Sequence, residues 1–263
     1  VTADEKPARV SPLTAFLAAV QFLLLSPAFI RRPFTPGELG AAVGFYPLVG
    51  ALLGALLVGV DRALGWLFPP LLQAALLLAV WVLLTGALHL DGFLDACDGL
   101  LGGFTPERRL EIMRDERVGA YALSGGILLL LIQFSALSAL TEARPAALFL
   151  APVLGRWGMA VALIAFPYAR PSGLGREIKN NARLPQAVLA TAFALAALLV
   201  AVWLYDLWAT LAALLAALLA WSGLMRFTLR RIPGLTGDLY GATNLLIETA
   251  VLLAFVAIQA QYG

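Results

Sequence analysis

The chain has 263 residues, of which 61% are hydrophobic and 13% charged, with a net charge of +2 and a mean hydropathy of +0.89. Soluble globular domains carry roughly 25% charged residues, so a water-soluble fold is excluded and a polytopic membrane protein is expected. The small net charge gives no reason to expect a nucleic-acid partner, and Cys97, the sole cysteine, allows no internal disulfide.

A hydrocarbon core about 30 Å thick is crossed by roughly 20 helical residues. Apolar runs near that length occur at Leu13 to Ile30, Ala41 to Val60, Leu71 to His89, Tyr121 to Leu140, Ala146 to Phe166, Gln186 to Tyr205, Leu207 to Met225 and Thr243 to Gln259. Eight spans are therefore predicted, with a tight turn at Tyr205 and Asp206 between the sixth and seventh. The first run reaches Ile30 without a small-residue cleavage pattern, so it is read as a span and not as a cleaved signal peptide. No internal repeat or low-complexity linker is visible, and the loops are too short to hold a second domain. Residues 1–263 are expected to form one all-α integral membrane helix bundle.

Sidedness follows from the basic residues, which cytoplasmic loops retain. With eight spans, thirteen Lys and Arg residues fall in the first, third, fifth and seventh loops, whereas only Lys6, Arg9, Arg62 and Arg144 fall on the other side. The third loop is thus expected in the cytoplasm and both termini outside.

That loop is also where the composition changes. Between His89 and Gly119 lie seven of the sixteen acidic residues and four arginines. Asp91, Asp95 and Asp98 stand at i, i+4 and i+7, which puts their carboxylates on one face if the third span continues as a helix. Like charges so close must either raise their pKa values or share a cation, and hard oxygen ligands suit magnesium or manganese. Gly102 and Gly103 should end this helix. Thr105 can cap a next one with Pro106 in its first turn, on which Glu111 and Asp115 would share a face. Such short amphipathic acidic helices at the cytoplasmic face, with arginines beside them, are what transfer chemistry on a pyrophosphate requires. A solvated loop of surface ion pairs is the plain alternative, but the small and apolar residues between the aspartates look packed on one side. Cys97 is read as a small packing residue among acids.

The run His89-Leu-Asp-Gly-Phe-Leu-Asp-Ala-Cys-Asp-Gly-Leu-Leu-Gly-Gly, followed by Arg109-Leu-Glu-Ile-Met-Arg-Asp-Glu-Arg-Val-Gly-Ala-Tyr, closely resembles the signature of the cobalamin synthase family, the adenosylcobinamide-GDP ribazoletransferases. Phe45-Tyr-Pro-Leu-Val-Gly, Gly155-Arg-Trp, Tyr168-Ala-Arg-Pro-Ser-Gly-Leu-Gly and Gly237-Asp-Leu-Tyr-Gly-Ala with Glu248 are similar to the same family in the same order. The resemblance implies a bacterial inner-membrane enzyme that joins α-ribazole, or its 5'-phosphate, to adenosylcobinamide-GDP. The ribose 3'-hydroxyl attacks the phosphate attached to cobinamide, GMP leaves, and magnesium, with manganese as a substitute, is required. Self-association, or association with other enzymes of the corrinoid pathway, is compatible with it. Asp95-x-x-Asp98-Gly99 is also similar to the CDP-alcohol phosphotransferases, but Gly102-Gly103 stands where that family has Ala-Arg and the second acidic pair is displaced, which makes it the runner-up. A solute transporter would concentrate its charge at mid-membrane helix breaks, a pattern not visible here.

The expected metal ligands are Asp91, Asp95, Asp98, Glu111 and Asp115, with Asp115 the first choice to take the proton of the attacking hydroxyl. Arg114 and Arg117 are expected on neighbouring helix positions, holding the pyrophosphate or the departing GMP. His89 reads equally as a helix-end residue or a partner of Asp91. Arg156 lies inside the fifth span, where a cation needs a partner, and Glu248 is the candidate; the pair is read as structural or as substrate-binding. Arg170 belongs to the basic loop from Tyr168 to Arg183, which either covers a phosphate or the corrinoid or only sets topology. Asp238 either joins the metal site or is a turn residue.

Overall fold

The computed structural model describes residues 10 to 262, so Lys6 and Arg9 of the charge argument lie outside the described residues. The elements in chain order are α1 (Pro12–Leu23), α2 (Pro36–Ala42), a 3-10 turn (Val43–Phe45), α3 (Tyr46–Leu67), α4 (Pro70–Leu84), α5 (Leu88–Gly102), α6 (Pro106–Ile112), α7 (Ala120–Ala139), α8 (Arg144–Ala165), α9 (Leu174–Asn181), α10 (Leu184–Leu204), α11 (Leu207–Leu229) and α12 (Gly237–Tyr262). The all-helical membrane architecture is as expected, and local chemistry sets many of the boundaries. Ser11, Thr35, Thr105 and Asp206 each accept a backbone N–H at the start of a helix, which satisfies donors that a helix terminus otherwise leaves free. Asp206 does this in the tight turn predicted between the sixth and seventh runs.

Among the described residues, six stretches are long and apolar enough to cross a membrane, and the bent pair α4 and α5 makes a seventh if it is one span. The prediction of eight differs at two places. The first apolar run is helical only to Leu23, because Pro27 interrupts it and the chain folds back so that the Gln21 side chain bonds both the N–H and the carbonyl of Ile30. The third run breaks at Thr85, Gly86 and Ala87, and its two halves meet at 88°. Gly86 and Ala87 both have φ near +57°, a left-handed conformation that glycine adopts freely and alanine adopts at a cost of roughly 1–2 kcal/mol. The acidic helix is therefore a separate element and not the continuation of the third span.

α8 forms the axis of the bundle, packed against α3, α10 and α12. A Cβ placed on Gly50 of α3 would come to 2.5 Å from the Pro152 carbonyl oxygen of α8, so the close helix crossing needs a residue of this size. α10 and α11 instead keep Leu195, Leu199, Trp203, Leu215 and Leu219 largely exposed, as lipid-facing helices should.

The four loops that carry thirteen basic residues meet at one end of the bundle. Arg109 donates to the Arg231 carbonyl at 3.4 Å and Arg170 to that of Met113 at 3.3 Å. Tyr168 and Leu235 form a parallel bridge, and α9 packs on α2. At the other end Arg144 pairs with Asp61 at 3.0 Å, and Gln73 also bonds Asp61.

Candidate active site

Three aspartates of α5 project into a cleft of about 260 Å³ at the loop-rich end, together with Arg114, Asp115 and Arg117. α12 starts against this helix: a Cβ at Gly92 would lie 2.9 Å from the Asp238 carbonyl oxygen, so only glycine lets the Asp238 turn approach so closely. Asp95 consequently lies within electrostatic reach of Asp91, Asp98, Asp238 and Arg170.

These carboxylates are held in different ways. Asp98 accepts the N–H of Gly119 at 2.6 Å and of Ala122 at 2.9 Å, capping the first turn of α7. Asp238 accepts Arg170 at 2.6 Å and the Thr236 hydroxyl at 3.1 Å. Asp91 and Asp95 make no hydrogen bond and no ion pair with the described residues, and both face the cleft. Two unpaired carboxylates beside two engaged ones leave an excess of negative charge that calls for a cation. Among the described residues, no group of three or more His, Cys, Asp or Glu side chains is already drawn together around a metal-sized point.

The second acidic set departs from expectation. α6 ends at Ile112, so Asp115 lies in the following turn and does not share a helix face with Glu111. Glu111 is exposed, pairs with Arg108 at 2.7 Å and lies outside the cleft lining. Asp115 does line the cleft but is gripped by Arg117 at 2.7 and 2.9 Å. That guanidinium, with its backbone N–H, holds the Asp115 carboxyl down at about 2, which makes it a weak proton acceptor while paired. Arg114 and Arg117 also fall beyond the helix, so they are turn residues and not helix neighbours; both remain exposed beside the cleft.

Of the basic loop, only Arg170 enters the acidic site. Arg176 donates to the Tyr168 carbonyl and Lys179 to that of Ile164, so they fasten the loop, and burial lowers the Lys179 pKa. Arg156 and Glu248 pair at 3.1 Å with both side chains wholly buried, and Arg156 also donates to the Pro152 carbonyl. His89 opens α5 next to this layer, 2% exposed, with Nε2 lacking a partner. Thr236, Met113 and Tyr240 were not singled out by the sequence. The Thr236-Gly-Asp238 turn is the local sign of the first; Met113 and Tyr240 lie within the quoted runs, but what they touch depends on tertiary contact.

The chain matches the family model described as cobalamin-5-phosphate synthase over residues 15–256. It is 46% identical over 246 residues to an adenosylcobinamide-GDP ribazoletransferase of Pseudomonas paraeruginosa, covering 92% of this chain and 97% of that one. Relatives with the same description in Stutzerimonas stutzeri and Pseudomonas aeruginosa are 44% and 45% identical, covering 90% and 92% of this chain and 95% and 97% of theirs. No solved structure matches it.

Proposed function

Because the chain belongs to the cobalamin-5-phosphate synthase family, we propose that the cleft of Asp91, Asp95 and Asp98, with Asp238 beside it, is where the family's transfer takes place. The reaction joins ribazole to adenosylcobinamide-GDP and releases GMP. A bond forms between the ribose oxygen and the phosphorus that carries cobinamide, the bond from that phosphorus to the GMP oxygen breaks, and the hydroxyl proton passes to a carboxylate.

The observation that carries this reading is the pair of unpaired carboxylates, Asp91 and Asp95, in a cleft rimmed by arginines. They would hold a magnesium ion, with the remaining lone pairs of Asp98 beside them and Asp238 within electrostatic reach. A divalent ion there supplies charge neutralisation on the phosphate oxygens. Asp95, which no arginine grips, would take the proton on an oxygen that is not on the metal, and is better placed to do so than Asp115. Arg114 reaches the cleft without an ion-pair partner and would hold the diphosphate, while Arg117 must first release Asp115. Arg170 acts by holding Asp238 against α5. We place the cleft on the cytoplasmic face of the inner membrane, because the basic loops gather at that end.

Purified protein in detergent should release GMP from adenosylcobinamide-GDP only when ribazole is present. Excess chelator should stop the reaction and magnesium or manganese should restore it. Undiminished turnover in chelator would remove the metal from the site.

A further inference from the structure

A second cavity, of about 220 Å³, shares Asp91 with the acidic cleft and extends beneath the start of α12. Its walls are mostly apolar. Phe22 of α1 and Tyr46 of α3 stack with ring centroids 6.3 Å apart, and Met159, Leu163 and Ile178 complete the lining. The carboxylates of Asp91 and Asp238 lie at its acidic end, and His89 and Tyr240 line it among the apolar residues. These two residues are 2% and 5% exposed, and neither His89 Nε2 nor the Tyr240 hydroxyl has a hydrogen-bond partner. Buried polar atoms are rarely left unpaired in native structures, so two of them in the wall of one cavity mark a place built for an occupant.

We infer that this cavity holds the aromatic base of ribazole, with its ring nitrogen accepting a hydrogen bond from Tyr240; the assignment rests on the reaction proposed above. Size is the first reason. Pockets for drug-sized ligands run roughly 300–1,000 Å³, so this smaller one takes a bicyclic base and excludes the corrinoid. Chemistry is the second. A dimethylbenzimidazole joined to ribose is a flat hydrocarbon surface with one ring-nitrogen acceptor, matching apolar walls with few donors. Guanine has several donors and acceptors along its edges, more than the apolar inner walls of Phe22, Met159, Leu163 and Ile178 can satisfy. Position is the third. With the base inside, the ribose emerges at Asp91 and Asp238, which also border the cavity, and its 3'-hydroxyl adjoins the acidic cleft.

The test is calorimetric titration of detergent-solubilised protein with α-ribazole, alongside kinetics in which each substrate is varied separately. Wild type should bind ribazole. Tyr240→Phe should weaken that binding about tenfold, the size of one neutral hydrogen bond, and raise the KM for ribazole with little change in that for adenosylcobinamide-GDP. Met159→Trp, which fills the cavity, should remove measurable ribazole binding. The dimethylindole riboside, with C–H in place of the ring nitrogen, should bind wild type about tenfold more weakly than ribazole does, whereas Tyr240→Phe should bind the two alike. Tyr240→Phe is the mild change that keeps the test sound if Met159→Trp fails to fold. Ribazole affinity unchanged in folded Tyr240→Phe, or a defect confined to adenosylcobinamide-GDP, would overturn the assignment. Wild type that binds ribazole with this pattern but releases no GMP would support the cavity and sink the reaction instead.

Discussion

Asp95 and Asp98 stand three residues apart on α5, yet their surroundings give them different work. The carboxylate of Asp98 is already shared between two backbone N–H groups of the Gly119 to Ala122 turn, whereas that of Asp95 has no partner. Asp95→Asn should therefore lower GMP release by orders of magnitude and leave the melting temperature close to wild type. Asp98→Asn should lose activity as well, but also about 1 kcal/mol of stability, because an amide has one acceptor oxygen where two backbone N–H groups now each take one. Activity assays and thermal melts on the same preparations check both, and a fully active Asp95→Asn protein would take Asp95 out of the chemistry. The i, i+4, i+7 spacing made the three aspartates legible as a cluster. It could not show that one of them caps a distant helix, because that role depends on where Gly119 arrives in space. Glu111 and Asp115 were misplaced for a related reason: four-residue spacing puts side chains on one face only while the helix lasts, and α6 stops at Ile112.

Hydropathy reported which segments are apolar but not their direction, so the bend between α4 and α5 was invisible in the sequence. A single glycine, Gly86, is tolerated inside many apolar helices, and nothing nearby announced that Ala87 would follow it into the left-handed region. The pairing of α8 with α12 was legible, because a cation within an apolar run needs a counter-charge and Glu248 was the acid available. Arg156 and Glu248 lie at the centre of the bundle with no access to solvent. Removing one member of such a pair leaves an uncompensated buried charge, a loss of about 3–5 kcal/mol, while replacing both with apolar residues is often close to neutral. Arg156→Leu should accordingly lower the melting temperature in detergent by a wide margin, and Arg156→Leu with Glu248→Leu should recover much of it. If the double variant is no more stable than the single one, the pair is not coupled in this way.

At the scale of the whole molecule, the charge count grouped four loops that are far apart in sequence, and the fold brings them to one end through contacts such as Arg109 with Arg231 and Arg170 with Asp238. Composition carries that much because the cost of moving charge through lipid acts on whole segments. A cysteine at Glu107, exposed on α6, in a Cys97→Ala background should resist an impermeant thiol reagent in intact cells and react after lysis. Labelling of intact cells would reverse the proposed orientation. The central ion pair also has a history in time. Arg156 and Glu248 are 92 residues apart, and a ribosome adding about 5–20 residues per second delivers the carboxylate roughly 5–20 s after the guanidinium. For that interval α8 carries a cation whose final partner has not yet been made, so its release into lipid is disfavoured until α12 follows. A helix made later thus licenses an earlier one, and a chain cut short before Gly237 leaves the ribosome with its axial helix unable to settle, a substrate for membrane proteolysis.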